Sequence, residues 1–372
     1  MTVISYMTSV LFDVGAVGEL AAVVARHGMR RPFIVTDQGI AAAGLLKTVT
    51  AALGQCPTFD ATPPNPTQSA VELAAAAFKD ASADGIIAIG GGSVIDLAKA
   101  VALAATHSGF LADYAAVSGG AERISAGVAP VIAVPTTSGS GSEVGRASLI
   151  VLKDRRKVAI ISPHLLPRCA ICDPALTASM PAWLTAGTGM DAIAHCIEAF
   201  LSPRINPPAD AIALDGLQRA VSTIERAVEV PSDMIARSEM MMAALEGGLC
   251  FQKGLGAVHA LSHALCAEAP LLHHGTLNSI LLPAVLRFNE RMCSDKYDRI
   301  RCALRLASGV DLADAVAKLQ GSVRLPSRLR DLGVNRECFP TVACGAMHDL
   351  SHATNPRTAS EDDYARILEE SF

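Results

Sequence analysis

Through the first half of the chain, short apolar runs alternate with longer Ala-rich stretches, and this alternation stops near Pro181. RPFIVTD (Arg31 to Asp37), DGIIAIGGGS (Asp84 to Ser93), APVIAVPTT (Ala129 to Thr137) and CAICDP (from Cys169) are strand-length apolar runs bounded by Gly, Pro or Asp, and they predict buried strands. GIAAAGLLKTVTAAL and VIDLAKAVALAAT carry the helical period and predict the helices that follow two of those strands. Strand and helix in alternation predict an α/β N-terminal domain over residues 1–183, built on a doubly wound, mostly parallel sheet covered on both faces. Over residues 184–372 strand signals vanish. Long Ala/Leu/Met stretches, punctuated by SPRINPPAD, HHG and RLPSRLRDLGV, predict an all-helical C-terminal domain.

Length and composition narrow the function. A chain of 372 residues exceeds one ordinary core, so two domains are the default. The formal net charge is −5 and no basic block occurs, which removes the electrostatic footprint that nucleic-acid binding needs. No apolar run is long enough to span a bilayer, and MTVISYMTSVLFDVG lacks the charged start and apolar core of a secretory leader. Ten cysteines without framework spacing read as reduced thiols in a cytoplasmic protein. Cys169 and Cys172 are rejected as a redox or zinc pair: they lie in a strand, where positions three apart face opposite sides.

Candidate chemistry falls in both halves. In GMDAIAHCIEAF, Asp191 and His195 are four apart and share one helix face; in GLGAVHALSHAL, His259 and His263 repeat that spacing, and LLHHGTLN adds His273 and His274. One carboxylate with imidazoles suits a single divalent ion, Fe2+ or Zn2+, with Asp191, His195, His259 and His274 as its candidate ligands. In the first half, Gly90, Gly91, Gly92 and Ser93 end a strand and open a helix. There the backbone can approach a pyrophosphate, and free N–H groups face it. VPTTSGSGSEV, with Thr136 and Thr137, clusters hydroxyls and glycines after the next strand, where doubly wound folds bind ligands. Asp37 closes its strand where a ribose hydroxyl would be read, favouring NAD over NADP, and it is equally well placed to cap the following helix. Metal candidates in one half and glycine turns in the other predict a site in the cleft between the domains.

These motifs, GGGSVIDLAKA, PTTSGSGSEV, SPHLLP…CDPAL, GTGMDAIAHCIEAF, GLGAVHALSHAL and HHGTLN…LLPAVLRFN, resemble the iron-containing (group III) alcohol dehydrogenases over essentially the full length. The resemblance implies the two-domain architecture shared with dehydroquinate synthase, NAD as cofactor, one divalent metal (Fe2+, with Zn2+ as the alternative), an alcohol or aldehyde substrate and a homo-oligomer. It implies Asp191, His195, His259 and His274 as metal ligands, His263 as a proton relay near the nicotinamide, and Gly90 to Ser93 as the pyrophosphate loop. Thr136 and Thr137 become contacts near the adenine, Asp37 the ribose acid, Lys157 a lysine reaching the cofactor, and Asn65 the Asn of the family's NPT. Two departures stand out. His273 replaces the usual Pro before the last ligand, in a spacing one residue longer than expected, which makes it a rival to His274. Lys253 stands where the family more often has a small or amide residue. FQKGLG, NPPADAIALDGL and the tail NPRTASEDDYARILEESF look most like the 4-hydroxybutyrate dehydrogenase branch. There Lys253 is expected to pair with a substrate carboxylate, with Arg146 as a weaker candidate. The alternatives left open are a family member acting on a neutral alcohol or diol, a metal-free maleylacetate reductase, a dehydroquinate-synthase-like lyase and a non-enzymatic NAD-binding protein.

Overall fold

The computed structural model describes residues 8–372; residues 1–7, which open the stretch read for a leader, lie outside the described residues. By packing, the described chain divides into two compact units: residues 8–137 with Ser142–Ser179, and Ser138–Gly141 with Met180–Phe372.

The first unit carries strands β1 (Ser9–Phe12), β2 (Pro32–Val35), β3 (Thr58–Phe59), β4 (Gly85–Gly90), β5 (Val131–Pro135), β6 (Ala147–Val151), β7 (Lys157–Ile161) and β8 (Cys169–Cys172). Its helices are α1 (Leu20–Arg26), α2 (Gln38–Ala42), α3 (Leu45–Thr50), α4 (Gln68–Asp80) and α5 (Gly92–Thr106). The main sheet runs β1-β8-β5-β4-β2-β3 with every neighbouring pair parallel. Its residues alternate between two cores, as the pleat requires. Phe33, Val35, Ile86, Ala88, Val131 and Ala133 join α4 and α5 on one face. Ile34, Ile87, Ile89, Ile132 and Val134 join Leu20, Val23 and Val49 on the other. Two-sided burial is why β4 reads as an unbroken apolar run.

Two features differ from the pattern in the sequence. The single helix expected after Asp37 is two short ones, because Gly44 takes a left-handed conformation (φ 76°) that ends α2 and starts α3. The sequence pattern does not predict the antiparallel hairpin of β6 and β7; its strands are buried largely at alternate positions rather than throughout, and the intervening DRR turn is charged rather than apolar.

The second unit has no strand among its described residues; its helices are α6 (Ala182–Leu201), α7 (Pro207–Glu229), α8 (Met234–Cys250), α9 (Ala257–Glu268), α10 (His274–Asn289), α11 (Ser294–Ala303), α12 (Leu312–Ser322), α13 (Phe339–Met347) and α14 (Glu361–Glu370), joined by turns and short 3-10 segments. Asn206 caps α7 and Pro207 occupies its first turn, so NPPAD opens a helix rather than merely separating two. α6 is the central element. It is buried from Thr185 to Leu201, and its apolar residues share one core with α7 to α10. A polar residue on such a helix has little access to water and must be satisfied by protein or by a ligand.

Candidate active site

Asp191 and His195 project from one face of α6, His259 from α9 and His274 from the start of α10. The Nε2 atoms of His195, His259 and His274 stand 3.8, 3.7 and 3.8 Å from Asp191 Oδ1. The ligand atoms of Asp191, His195 and His259 lie within 4.8 Å of one another, and all three side chains are buried. Donors about 2.1 Å from a shared tetrahedral ion lie about 3.4 Å apart, so the cluster is close to the size of such a coordination shell. The Nδ2 of Asn278 lies 2.7 Å from Asp191 Oδ1, 3.2 Å from His259 Nε2 and 3.1 Å from His274 Nε2. Asp191 Oδ1 accepts from this amide, and two imidazole nitrogens crowd the same nitrogen, at the place a shared cation would take. The donor set fits a borderline-hard divalent metal.

Electrostatics point the same way. Burial alone would raise the Asp191 carboxyl, but the His195 charge, a hydrogen bond with His259 and the His274 and His259 charges outweigh it and hold it well below the usual carboxylate range. Burial pushes His195 down to about 4. Burial opposes protonation of His259 as well, yet hydrogen bonds to Asp191 and Glu198 and their charges lift it to about 9. An anionic oxygen beside a neutral imidazole is a ligand arrangement that a proton on His259 only partly satisfies.

The two adjacent histidines are placed differently. His273 is the N-cap of α10: its Nδ1 accepts from Thr276 N at 3.3 Å and meets Thr276 Oγ1 at 3.0 Å, while its ring packs edge-on to Trp183. His274, one residue on, turns into the cluster. His263 lies flat against the His274 ring, 5.1 Å between centroids, and its Nδ1 meets Asp349 Oδ2 at 2.9 Å. Burial would raise Asp349, but the charge and hydrogen bond of His263 and bonds from Ser351 keep it below the carboxylate range.

Lys253 departs from expectation. Its side chain is fully buried; its ammonium pairs with Asp210 and donates to the Phe200 carbonyl at 3.1 Å. An ammonium already matched to an internal carboxylate has no charge left for a substrate. The sequence could not reveal this, because Asp210 is 43 positions away and meets Lys253 only once α7 packs on α6. Arg146, half-buried, is the remaining candidate cation.

The first unit gathers the residues expected to hold a cofactor. Gly91 caps α5 without a side chain, and a Cβ on it would press on Thr137 at 3.2 Å. A Cβ on Gly90 would collide with Val94 at 2.5 Å; Gly92 is the first residue of α5. Ser93 donates to the Pro64 carbonyl, and Lys157 Nζ donates to Asn65 Oδ1 at 2.9 Å, which ties Asn65 to the hairpin. Thr136 Oγ1 is buried without a hydrogen-bond partner among the described residues, beside the Gly90 carbonyl that accepts from Thr136 N. An orphaned hydroxyl beside a glycine-walled helix N-terminus fits a phosphate-bearing cofactor. Asp37 caps α2 through Oδ1, accepting from Ile40 N at 2.9 Å.

Residues 7–174 match the family described as iron-containing alcohol dehydrogenase, and residues 185–372 match the C-terminal part of the Fe-containing alcohol dehydrogenase family. The chain belongs to the iron-containing alcohol dehydrogenase family. A 4-hydroxybutyrate dehydrogenase of Cupriavidus necator is 50% identical, with all of both chains covered. Among solved structures, a 1,3-propanediol oxidoreductase superposes with a TM-score of 0.94 at 32% identity, covering all of both chains. A sulfoacetaldehyde reductase from Bifidobacterium kashiwanohense, solved with NAD+, gives 0.89 at 26%, covering all of this chain and 98% of that one. Three further residues that escaped sequence reasoning touch the candidate ligands or His263 in this iron-containing alcohol dehydrogenase: Glu198, Asn278 and Asp349. Glu198 alone left a signal, seven residues after Asp191 and three after His195 on the same helix face.

Proposed function

We propose that the protein is a metal-dependent, NAD-linked dehydrogenase that interconverts a short ω-hydroxy acid, 4-hydroxybutyrate, and its semialdehyde. The observation that carries the dehydrogenase reading is the cluster of one carboxylate and three imidazoles on α6, α9 and α10, in which Asp191, His195 and His259 are buried and His274 is partly exposed. The hydroxy-acid reading is supported by the half-identical full-length relative named for that substrate. Residues 1–183 are assigned to NAD and residues 184–372 to the metal, with Asp191, His195, His259 and His274 as its ligands.

A divalent metal in this cluster supplies Lewis acidity toward the substrate oxygen. NAD supplies the hydride acceptor, with Gly90 to Ser93, Thr136, Thr137, Asn65, Lys157 and Asp37 assigned to hold it. Asp191 provides the one anionic oxygen of the set and stays ionised throughout the working pH range. His263 takes the alcohol proton at Nε2, because Asp349 occupies Nδ1 and stabilises the ring once charged. The apolar core around α6 keeps the Asp191 and His195 side chains largely out of water. We further infer a cytoplasmic homo-oligomer; all ten cysteines are free thiols, as a reducing compartment keeps them.

The test is a substrate panel with NAD, read at the reduced-nicotinamide absorbance. The hydroxy acid should give a higher kcat/KM than 1,3-propanediol or 1-butanol. A diol or neutral alcohol that outperforms it rejects the hydroxy acid and leaves the dehydrogenase reading standing.

A further inference from the structure

His259 has a buried carboxylate behind it. Glu198, on the Asp191–His195 face of α6, is 4% exposed. Its carboxylate accepts from Val258 N at 2.7 Å and His259 N at 3.4 Å, and meets His259 Nδ1 at 2.6 Å. An ionised carboxylate only accepts, so Nδ1 must carry a proton, and a neutral His259 then presents its lone pair at Nε2. That is the atom 3.7 Å from Asp191 Oδ1.

The same carboxylate performs a second task. α9 starts after Gly256 and has no side-chain cap of its own. Glu198 meets two of the amides a local cap would serve and sets its charge at the positive end of the α9 dipole. Asn355 Oδ1 takes the adjacent Ala257 N–H at 3.0 Å. Gly256 is what lets both approach, since a Cβ there would fall 2.7 Å from Asn355 Oδ1 and 2.8 Å from Glu198 Oε1. One side chain from α6 therefore fixes where α9 begins and how its first histidine turns.

We propose that Glu198 is a positioning residue: it sets the tautomer and ring orientation of His259 and clasps α9 to α6, so that donor atoms from both helices are held in register for the metal. This rests on the assignment of Asp191, His195 and His259 as ligands. Carboxylates that orient a ligating histidine raise its basicity, and losing such a partner costs ~10–100-fold in metal affinity.

Metal-stripped wild type, Glu198→Ala and Glu198→Gln are titrated with Zn2+ against a chromophoric chelator, with NAD binding measured in parallel. Lys253→Met, which breaks an ion pair with Asp210 in the same helical unit and touches none of the four candidate ligands through its ammonium, is the stability control. Glu198→Ala should bind Zn2+ ~10–100-fold more weakly. Glu198→Gln should lose less, because its amide oxygen still accepts the Nδ1 proton as a weaker, neutral acceptor. NAD affinity and the control's Zn2+ affinity should stay at the wild-type value. Wild-type Zn2+ affinity in either Glu198 variant overturns the proposal, and so does an equal loss in Lys253→Met. A wild type that takes up no Zn2+ instead overturns the ligand assignment beneath it.

Discussion

Replacing Lys253 with Met separates a substrate-binding lysine from a structural one. The side chain is fully buried and its Asp210 partner is 22% exposed. Methionine keeps most of the stem's volume and removes the charge together with its hydrogen-bond donors. Breaking a buried pair by deleting one partner costs ~3–5 kcal/mol, because the other charge is left uncompensated. Here the lower end applies: Asp210 retains some water and sits in the first turn of α7, where the helix dipole favours an anion. The Phe200 carbonyl also keeps its bond from Lys296 Nζ at 2.9 Å. A loss of about 3 kcal/mol in a unit of this size lowers Tm by roughly 6–12 °C at ~2–4 °C per kcal/mol. The assay pairs thermal unfolding with kcat/KM for 4-hydroxybutyrate and for 1-butanol. The ratio of the two kcat/KM values should move less than about threefold, or ~0.65 kcal/mol. A hundredfold fall for the acid alone, with Tm intact, would refute the structural role and restore Lys253 as the carboxylate partner.

Further outcomes follow from other sites. His274→Ala should abolish metal binding while His273→Ala retains it, measured by metal content after gel filtration; the reverse pattern would exchange their assignments. Asp37→Gly should raise the use of NADP relative to NAD with little change in Tm, since Gly caps a helix within a few tenths of a kcal/mol of Asp; an unchanged cofactor ratio leaves Asp37 as a cap alone. Burial, then the hydrogen bond and charge of Asp215, lift the Glu246 carboxyl from 4.5 to about 8. A raised folded-state pKa gives stability that is complete below about 4.5 and lost as pH rises through about 8. Glu246→Gln should therefore gain Tm relative to wild type from pH 5 to 8 and level off above; a pH-independent difference contradicts the shift.

The sequence shows most clearly what repeats along it. β4 and β5 are legible because burial on both faces leaves an unbroken apolar run, and α6 because Asp191 and His195 interrupt an apolar helix at a spacing of one turn. The β6–β7 hairpin was hidden because its strands are buried mostly at alternate positions and leave no unbroken apolar run, and the break at Gly44 by flanking residues that favour helix. Site residues were legible where chemistry repeats locally, as in His259 and His263. Partners brought together by tertiary packing were not. Asp349 lies 86 positions from His263, and Asn278 lies 87 from Asp191. Lys253 shows the converse: a cation near the ligands in sequence is already matched to Asp210 in space.

The most direct test of the central claim is NADH formation from 4-hydroxybutyrate by metal-stripped protein, before and after stoichiometric Fe2+ is returned. The stripped protein should bind NAD normally and turn over at background, with a loss exceeding the ~10–100-fold that supporting residues cost. Fe2+ should then restore the rate in wild type and leave His195→Ala silent. Full turnover by the metal-free protein, or by His195→Ala, would contradict the account.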